Sequence, residues 1–198
     1  TYCSEKSSLI DCAEAAVRAG IEAIKPGVRV FEVSTAIENA VKKMGFGVIV
    51  NLTGHGLDRN MFHSPPSIPN YNTKATYQLS EGDVVALEPF VAKVSGHVSE
   101  SYPAEIYRFL IERPVRLKEA REIISLAKEN YNSFPFAKRW IIQKGFSAVK
   151  TAMSMRSLEE AGAMERYPPL KESRGQLVAQ AEHTIIVADP PIVTTRPE

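Results

Sequence analysis

The sequence is poor in cysteine and has no long apolar run, and each of these absences narrows the class of protein. Its two cysteines, Cys3 and Cys12, lie near one end of the 198 residues and cannot build a disulfide framework, so a reducing cytoplasm is expected. No apolar segment approaches the roughly 20 residues of a membrane-spanning helix. The net charge is only +1, so neither a membrane nor a nucleic-acid partner is predicted.

Apolar periodicity predicts two helices early in the chain, at 4–24 and 30–44. A Pro-Gly pair separates them and ends the first pattern. The segment GVIVNL at 47–52 is rich in β-branched residues, which predicts a strand. From there to about residue 82 the sequence is rich in Gly, Pro, Asn and His. That composition predicts a long irregular loop, and loops of this length are often functional.

Strands are predicted at 84–92, 104–110 and 177–188. From Pro114 to about Tyr167 the pattern is helical instead, which predicts an inserted helical subdomain. Two helices, several strands, a helical segment and a final strand are typical of an α+β fold rather than of an alternating βαβ fold.

Three residues are candidates for a metal centre because of their place in this pattern. Glu88 lies within the apolar run VVALEPF and Glu182 within LVAQAEHTIIV, with no Lys or Arg adjacent to either. A buried carboxylate is costly unless it is paired or binds a metal. His55 lies between Gly54 and Gly56, where small neighbours leave room for a ligand. A single strand Glu usually faces solvent. Two such glutamates together with one loop His make a binding site for Mn, Fe(II), Co or Zn about as plausible as two solvent-facing side chains.

The other histidines are weaker candidates on the pattern alone. His63 lies in the same predicted loop, where a solvated or structural role is the more common one. His97 is expected near a strand turn. His183 directly follows Glu182, so on a strand its side chain points to the opposite face, and a core or supporting role is expected.

Several segments match one family in order and spacing. They are NLTGHGLDRNMFHSPPSIPNY, EGDVVALEPFVAKVSGHV, AEIYRFL, FPFAKRW, LEEAGAMERYPPLKE and GQLVAQAEHTIIV. Together they resemble the type 2 methionine aminopeptidases, particularly the short archaeal form. Each segment alone is a weak signal, but the combination is specific and covers nearly the whole chain.

The resemblance implies the pita-bread fold, two α+β halves with a pseudo-two-fold relation, here incomplete at the N-terminus. It implies that 1–111 and 168–198 form the catalytic domain and that 112–167 form a type 2 helical insertion. The implied activity is removal of the initiator methionine from nascent proteins. The implied cofactor is a pair of divalent ions (Co, Mn, Fe(II) or Zn) that activates a hydroxide.

By motif match, the metal ligands implied are His55, Glu88 and Glu182, with Glu182 bridging both ions and Glu88 also acting as general base. His63 is expected to contact the substrate and stabilise the tetrahedral state. The pocket for methionine is expected to be small, apolar and partly aromatic. Its lining residues by motif match are Phe62, His63, Phe90 and Tyr167.

This chain departs from the family pattern in its ligand set. The family has five metal-ligand side chains, and its first two, both aspartates, have no counterpart here. We therefore expect weak binding of one metal ion and no peptidase activity by this chain alone. A missing N-terminal segment or a partner chain would have to supply the other ligands.

Two other interpretations stay open from the sequence. One is a non-catalytic pita-bread module that binds proteins or nucleic acids. Such a module is expected to have replaced some of His55, Glu88 and Glu182, and all three are present. The other is a different pita-bread hydrolase, such as an aminopeptidase P or a prolidase. The helical insertion and the segment HGLDRNMFH favour the type 2 methionine enzyme.

Overall fold

The two helices predicted early in the chain are present and pack against each other. The computed structural model describes residues 1–196 and contains α1 (Ser8–Ala23) and α2 (Val30–Lys43). Pro26 follows α1 closely and cannot continue it, because proline lacks the backbone N–H that a helix interior needs. At the start of α2, the Glu32 carboxylate accepts a hydrogen bond from the Arg29 backbone N–H at 3.0 Å. The helical part of the sequence prediction is confirmed here.

The remaining elements are mostly short strands, with three helices between residues 118 and 160. The helices are α3 (Lys118–Asn130), α4 (Lys138–Gln143) and α5 (Ala148–Glu160). The strands are β1 (Gly47–Val48), β2 (Thr53–Asp58), β3 (Met61–Pro69), β4 (Val84–Leu87), β5 (Phe90–Ala92), β6 (Val98–Glu100), β7 (Ile106–Phe109), β8 (Pro135–Ala137), β9 (Met164–Tyr167), β10 (Leu170–Glu172), β11 (Val178–Gln180), β12 (His183–Ile186) and β13 (Ile192–Val193). The content is mixed helix and sheet, which confirms the α+β class.

The chain divides into two compact units. Unit 1 contains residues 1–59, 63–99 and the chain from Lys171 onward, and unit 2 contains 60–62 and 100–170. The predicted boundaries, with a catalytic domain at 1–111 and 168–198 and a helical insertion at 112–167, stay a prediction. Among residues 1–196, no helix combines the length and the apolar character needed to cross a bilayer.

The larger sheets of unit 1 have the strand orders β13-β12-β4-β2-β3 and β1-β5-β11, and a two-stranded sheet pairs β10 with β6. Helices α1 and α2 contribute fully buried residues to a core that they share with both sheets. The packing is close at Gly20 of α1, where an added Cβ would lie 2.8 Å from a methyl of Leu87 in β4. Glycine at this position lets α1 approach the end of β4 without displacing the Leu87 side chain.

The segment before residue 82 begins with a long hairpin, so the predicted irregular loop is wrong at 53–69. Strands β2 and β3 occupy much of it, and His55 lies within β2 rather than in a loop. An added Cβ at Gly54 or Gly56 would overlap a carbonyl oxygen, of Ala86 or Pro65 respectively. The glycines are therefore needed for close approach of neighbouring strands, a role that their turn-like composition hides.

Two predicted strands are each broken in the middle. The run 84–92 forms β4 and β5, and the run 177–188 forms β11 and β12, with the parts of each run in different sheets. Pro89 explains the first break, since it cannot donate to a continuous ladder. Both predicted carboxylates, Glu88 and Glu182, lie at these breaks rather than inside a strand.

In unit 2, helices α3, α4 and α5 share one hydrophobic core with the sheet β8-β7-β9. Its core includes the buried side chains of Tyr107, Phe136, Ile141 and Leu158. Strands β8 and β9 lie within the part of the sequence predicted to be helical, so that prediction is wrong at 135–137 and 164–167. Both strands pair with β7, and this pairing across more than 25 residues has no local signal in the sequence.

Candidate metal centre

Glu88 and Glu182 face each other where the two strand pairs of unit 1 are interrupted. Leu87 of β4 pairs with His183 of β12, and Phe90 of β5 pairs with Gln180 of β11. Counting inwards from these pairs places Glu88 opposite Glu182. Two carboxylates directly opposite on neighbouring strands repel each other. The break in both strands therefore creates a point that favours a cation.

His55 lies beside this carboxylate pair. It is opposite Ala86 in the β2–β4 ladder, and its Nε2 atom lies 2.9 Å from Oε1 of Glu88. The Nδ1 atom lies 2.8 Å from the Gly56 carbonyl oxygen, which fixes the ring orientation. The side chains of His55 and Glu88 are only 11% and 15% exposed. An imidazole oriented in this way presents one nitrogen to the carboxylate side of the site.

Gln180 connects the two carboxylates, and sequence reasoning missed it. Its side-chain amide donates to Oε2 of Glu182 at 3.0 Å and to Oε2 of Glu88 at 3.4 Å. The signal was available, since Gln180 precedes Glu182 by two residues and an alternating strand would place both on one face. The N–H groups of the Gln180 amide partly stabilise the negative charges of both carboxylates, and the amide itself is neutral.

The charges of this group influence one another. Burial raises the pKa of Glu182, and the neighbouring Glu88 carboxylate raises it further. Burial alone would lower the pKa of His55, but its hydrogen bonds to Glu88 and to the Gly56 carbonyl outweigh this and raise it. The protein thus favours one added positive charge at this point, and the imidazole can carry it as a proton.

Two further predicted residues lie near this group in unit 1. The ring of His63, on β3, meets the ring of His55 edge-on, with 4.4 Å between the ring centroids. Phe90 is the first residue of β5, two positions after Glu88, and is half-buried. The structure therefore brings the ring of His63 into contact with His55. Phe90 lies close to the group in the chain, because it follows Glu88 by two residues.

The other two predicted pocket residues belong to unit 2. Phe62 is half-buried next to the tip of the β2–β3 hairpin. Tyr167 ends β9 opposite Ile106, and burial raises the pKa of its hydroxyl. Their predicted contact with a substrate stays a prediction.

His97, His183 and the two cysteines, unlike His63, are described by other contacts. His183 bonds to the Thr195 hydroxyl through Nδ1 at 2.9 Å. His97 is exposed, and its carbonyl accepts hydrogen bonds from the backbone and the hydroxyl of Ser173. Cys3 is exposed and Cys12 is buried in the α1 core, both as free thiols.

Comparison with known proteins gives a family and a set of relatives. Residues 1–188 match the model of metallopeptidase family M24. The chain is 45% identical to a methionine aminopeptidase of Archaeoglobus fulgidus over 185 residues. The match covers 93% of this chain and 62% of that protein, so the chain spans less than two thirds of this relative's length.

Solved structures show the same fold at low identity. A thermophilic Arx1 superposes with a TM-score of 0.76 at 16% identity, covering 91% of this chain and 54% of that one. A methionine aminopeptidase from Thermotoga maritima superposes with a TM-score of 0.58 at 21% identity, covering 96% and 51%. These likenesses concern the fold, and the pita-bread prediction is confirmed.

A metallopeptidase family implies a divalent-metal cofactor, and the donor types at this site fit one. One imidazole and two carboxylates suit hard or borderline divalent ions. Within residues 1–196, however, no set of three or more His, Cys, Asp and Glu side chains is arranged to hold a metal as it stands. The Glu88 carboxylate is engaged by His55 and Gln180 instead. The donor chemistry fits a metal ion, and the number of converging donors is short of a complete site.

Proposed function

Because the chain belongs to metallopeptidase family M24, we propose that it forms part of a type 2 methionine aminopeptidase, which removes the initiator methionine from nascent proteins. The facing carboxylates carry the proposal, since Glu88 and Glu182 meet at two coincident strand breaks with His55 beside them. The similarity to the Archaeoglobus fulgidus enzyme supports the choice of reaction. The proposed location is the cytoplasm, where the substrates are made.

The proposed metal ligands are His55, Glu88 and Glu182. A pair of divalent ions (Co, Mn, Fe(II) or Zn) would supply a water of lowered pKa and polarise the scissile carbonyl. Glu88 is at the centre of the hydrogen-bonded group, with one oxygen facing His55 and the other Gln180. It is therefore the carboxylate best connected to accept a proton and pass it on, which is the role of general base.

His63 is the proposed substrate contact. Its ring is held edge-on against His55, so its position follows that of a proposed ligand. A histidine N–H beside the reacting carbonyl can donate a hydrogen bond that becomes stronger as negative charge develops on oxygen.

The proposed methionine pocket uses aromatic side chains. Phe62, Phe90 and Tyr167 are each half-buried, so each residue keeps some surface accessible. Methionine sulfur makes favourable contacts with aromatic ring edges, and its unbranched chain fits a narrow apolar space. This chemistry favours methionine over charged or branched side chains at the first position.

The test measures release of methionine from the peptide Met-Ala-Ser with Mn²⁺ or Co²⁺. It compares the chain alone with a fusion that adds the part of the Archaeoglobus fulgidus protein outside the aligned region. Because this chain carries three of the five ligands that the resemblance implies, we expect weak binding of one ion and no turnover by the chain alone. We expect turnover by the fusion.

Matched glutamate variants sharpen the test. Glu88→Gln in the fusion is expected to lower kcat by at least 100-fold while the substrate still binds. Glu112→Gln serves as control, because it removes a carboxylate whose ion-pair partner is the exposed Lys128. A fusion that binds metal, folds and releases no methionine would contradict the proposed function.

A further inference from the structure

The tip of the β2–β3 hairpin is held by a serine far away in the sequence. The Ser133 hydroxyl donates a hydrogen bond of 2.8 Å to the carbonyl oxygen of Asn60. Both residues belong to unit 2, which includes 60–62 although most of the hairpin belongs to unit 1. This bond joins positions 73 residues apart.

The end of helix α3 determines where Ser133 lies. Asn132 has a φ of 50°, the left-handed conformation that commonly ends a helix, and its N–H donates to the Ala127 carbonyl at 3.0 Å. The preceding residue, Tyr131, stacks on the buried Phe136 with 4.8 Å between ring centroids. Ser133 therefore follows a helix end that is fixed by both hydrogen bonding and packing.

The accepting residue is also at a defined turn. Asn60 has a φ of 59°, so the chain reverses there in a conformation that asparagine tolerates. Asn60 is exposed, whereas Phe62 two residues later is half-buried. A carbonyl fixed at the turn restricts the backbone that leads to Phe62.

We propose that Ser133 is a positioning residue that holds the hairpin tip through Asn60 and thereby sets the position of Phe62 for recognition of the substrate's first side chain. The part of this inference that concerns recognition rests on the proposed function. Small displacements of a group that contacts substrate have large effects on binding, so one hydrogen bond at the turn can tune selectivity.

The first experiment needs no catalytic activity. Hydrogen exchange of residues 59–63 is compared between wild type, Ser133→Ala and Ser133→Thr of the 198-residue chain. A hydrogen bond of this kind changes local opening by about two- to tenfold. We expect exchange to rise by that factor in Ser133→Ala, while Ser133→Thr, which keeps the hydroxyl, stays within twofold of wild type.

Ser125→Ala is the matched control. The Ser125 hydroxyl donates to the Arg121 carbonyl within α3, so this variant also removes a serine-to-backbone hydrogen bond in unit 2, but one remote in sequence from the hairpin. Exchange at 59–63 should not change in this variant. Equal exchange at 59–63 in Ser133→Ala and wild type would overturn the proposal, as would an equal rise in Ser125→Ala.

The second experiment measures selectivity in the fusion described above. For Ser133→Ala we expect KM for Met-Ala-Ser to rise about two- to tenfold with kcat within twofold, and the KM ratio between methionine and norleucine peptides to approach one. Ser133→Thr should restore the ratio. If Ser133→Ala speeds hydrogen exchange at 59–63 but leaves the KM values unchanged, the role of Ser133 in recognition is wrong. If the fusion itself is inactive, the proposed function is wrong, and the exchange experiment still tests the hydrogen bond between Ser133 and Asn60.

Discussion

The carboxylates of the two units are compensated in different ways. In unit 2, seven pairs of Lys or Arg with Glu lie within 4 Å, among them Arg166 with Glu159 and Lys138 with Glu105. In unit 1, Glu88 and Glu182 face each other, and the groups shown to contact them are the His55 imidazole and the Gln180 amide. A glutamate at a surface is solvated or paired with a nearby cation at little energetic cost. Within residues 1–196, neither Glu88 nor Glu182 forms an ion pair with a Lys or Arg at this shielded strand break, which indicates a place that favours a cation.

The largest expected effect concerns cation binding at the facing carboxylates. Glu182→Gln keeps the shape and removes one negative charge, so we expect Mn²⁺ affinity to fall by about 100-fold or more, since even outer partners of a metal are worth 10- to 100-fold. Calorimetric titration of the chain with Mn²⁺ measures it. Glu165→Gln, which removes the partner of Arg108 in unit 2, is the control and should leave the affinity unchanged. Equal Mn²⁺ affinities of Glu182→Gln and wild type would contradict the conclusion that the facing carboxylates of unit 1 favour a cation.

The second effect concerns the strand contact that brings His55 to Glu88. An added Cβ at Gly54 would overlap the Ala86 carbonyl oxygen, so Gly54→Ala must push β2 away from β4. We expect a loss of about 1–3 kcal/mol of unfolding free energy, as for other overpacked sites. Urea unfolding measures the loss.

Gly162 in unit 2 offers the contrasting case. It has open space around its Cα and a φ of 67°. Gly162→Ala should cost about 1 kcal/mol through backbone conformation alone. Metal affinity should fall in Gly54→Ala and stay unchanged in Gly162→Ala, and equal affinities in the two would contradict the role given to the close strand contact.

The pH dependence of the metal-free protein should have opposite signs in the two units. The raised pKa of Glu182 means that the folded state holds its proton to higher pH than the unfolded state does. Its contribution to stability therefore falls as pH rises through the window between the unfolded and the folded pKa. In unit 2, a hydrogen bond from Lys150 lowers the pKa of Glu119. That contribution is present above the unfolded pKa and is lost as pH falls through the folded one.

Urea midpoints from pH 3 to pH 8 in the presence of a chelator measure this contrast. Relative to wild type, Glu182→Gln should gain stability most at the high-pH end. Glu119→Gln should lose stability at neutral pH and match wild type at the acidic end. The same slope of the difference curve in both variants would show that the two carboxylates are not compensated differently.

The smallest effect is expected at an exposed ion pair of unit 2. Lys118 and Glu122 lie one helical turn apart in α3, with side chains 79% and 48% exposed. Lys118→Ala should change the unfolding free energy by no more than about 0.5 kcal/mol, because solvent screens such pairs. A thermal melt at 0.15 M salt measures the change. A loss above about 1 kcal/mol would mean that the surface ion pairs of unit 2 contribute substantially to its stability.

Sequence patterns predicted the elements that depend on neighbouring residues and failed where distant chain segments meet. The apolar stripes of α1 and α2 come from residues three and four apart, so they could be read directly. Strands β8 and β9 could not, since each exists through pairing with β7. The hairpin β2–β3 was missed because its glycines serve close strand contacts, while their composition is typical of a loop.

The candidate site divides in the same way. Glu88 and Glu182 stand out in the sequence because a carboxylate in an apolar run is costly, and His55 stands out between two glycines. Gln180 does not stand out, because an amide in a strand is unremarkable until two carboxylates are placed beside it.

Local chemistry in the sequence thus determined which residue types are candidates: two carboxylates in apolar runs, an imidazole and a set of aromatic rings. Only the tertiary structure decided that the two strands break at the same level, so that Glu88 faces Glu182 with His55 beside them. The reason is physical. Burial cost and periodicity act along the chain and can be read from it, whereas the register between strands nearly 100 residues apart is set by the packing of the whole unit.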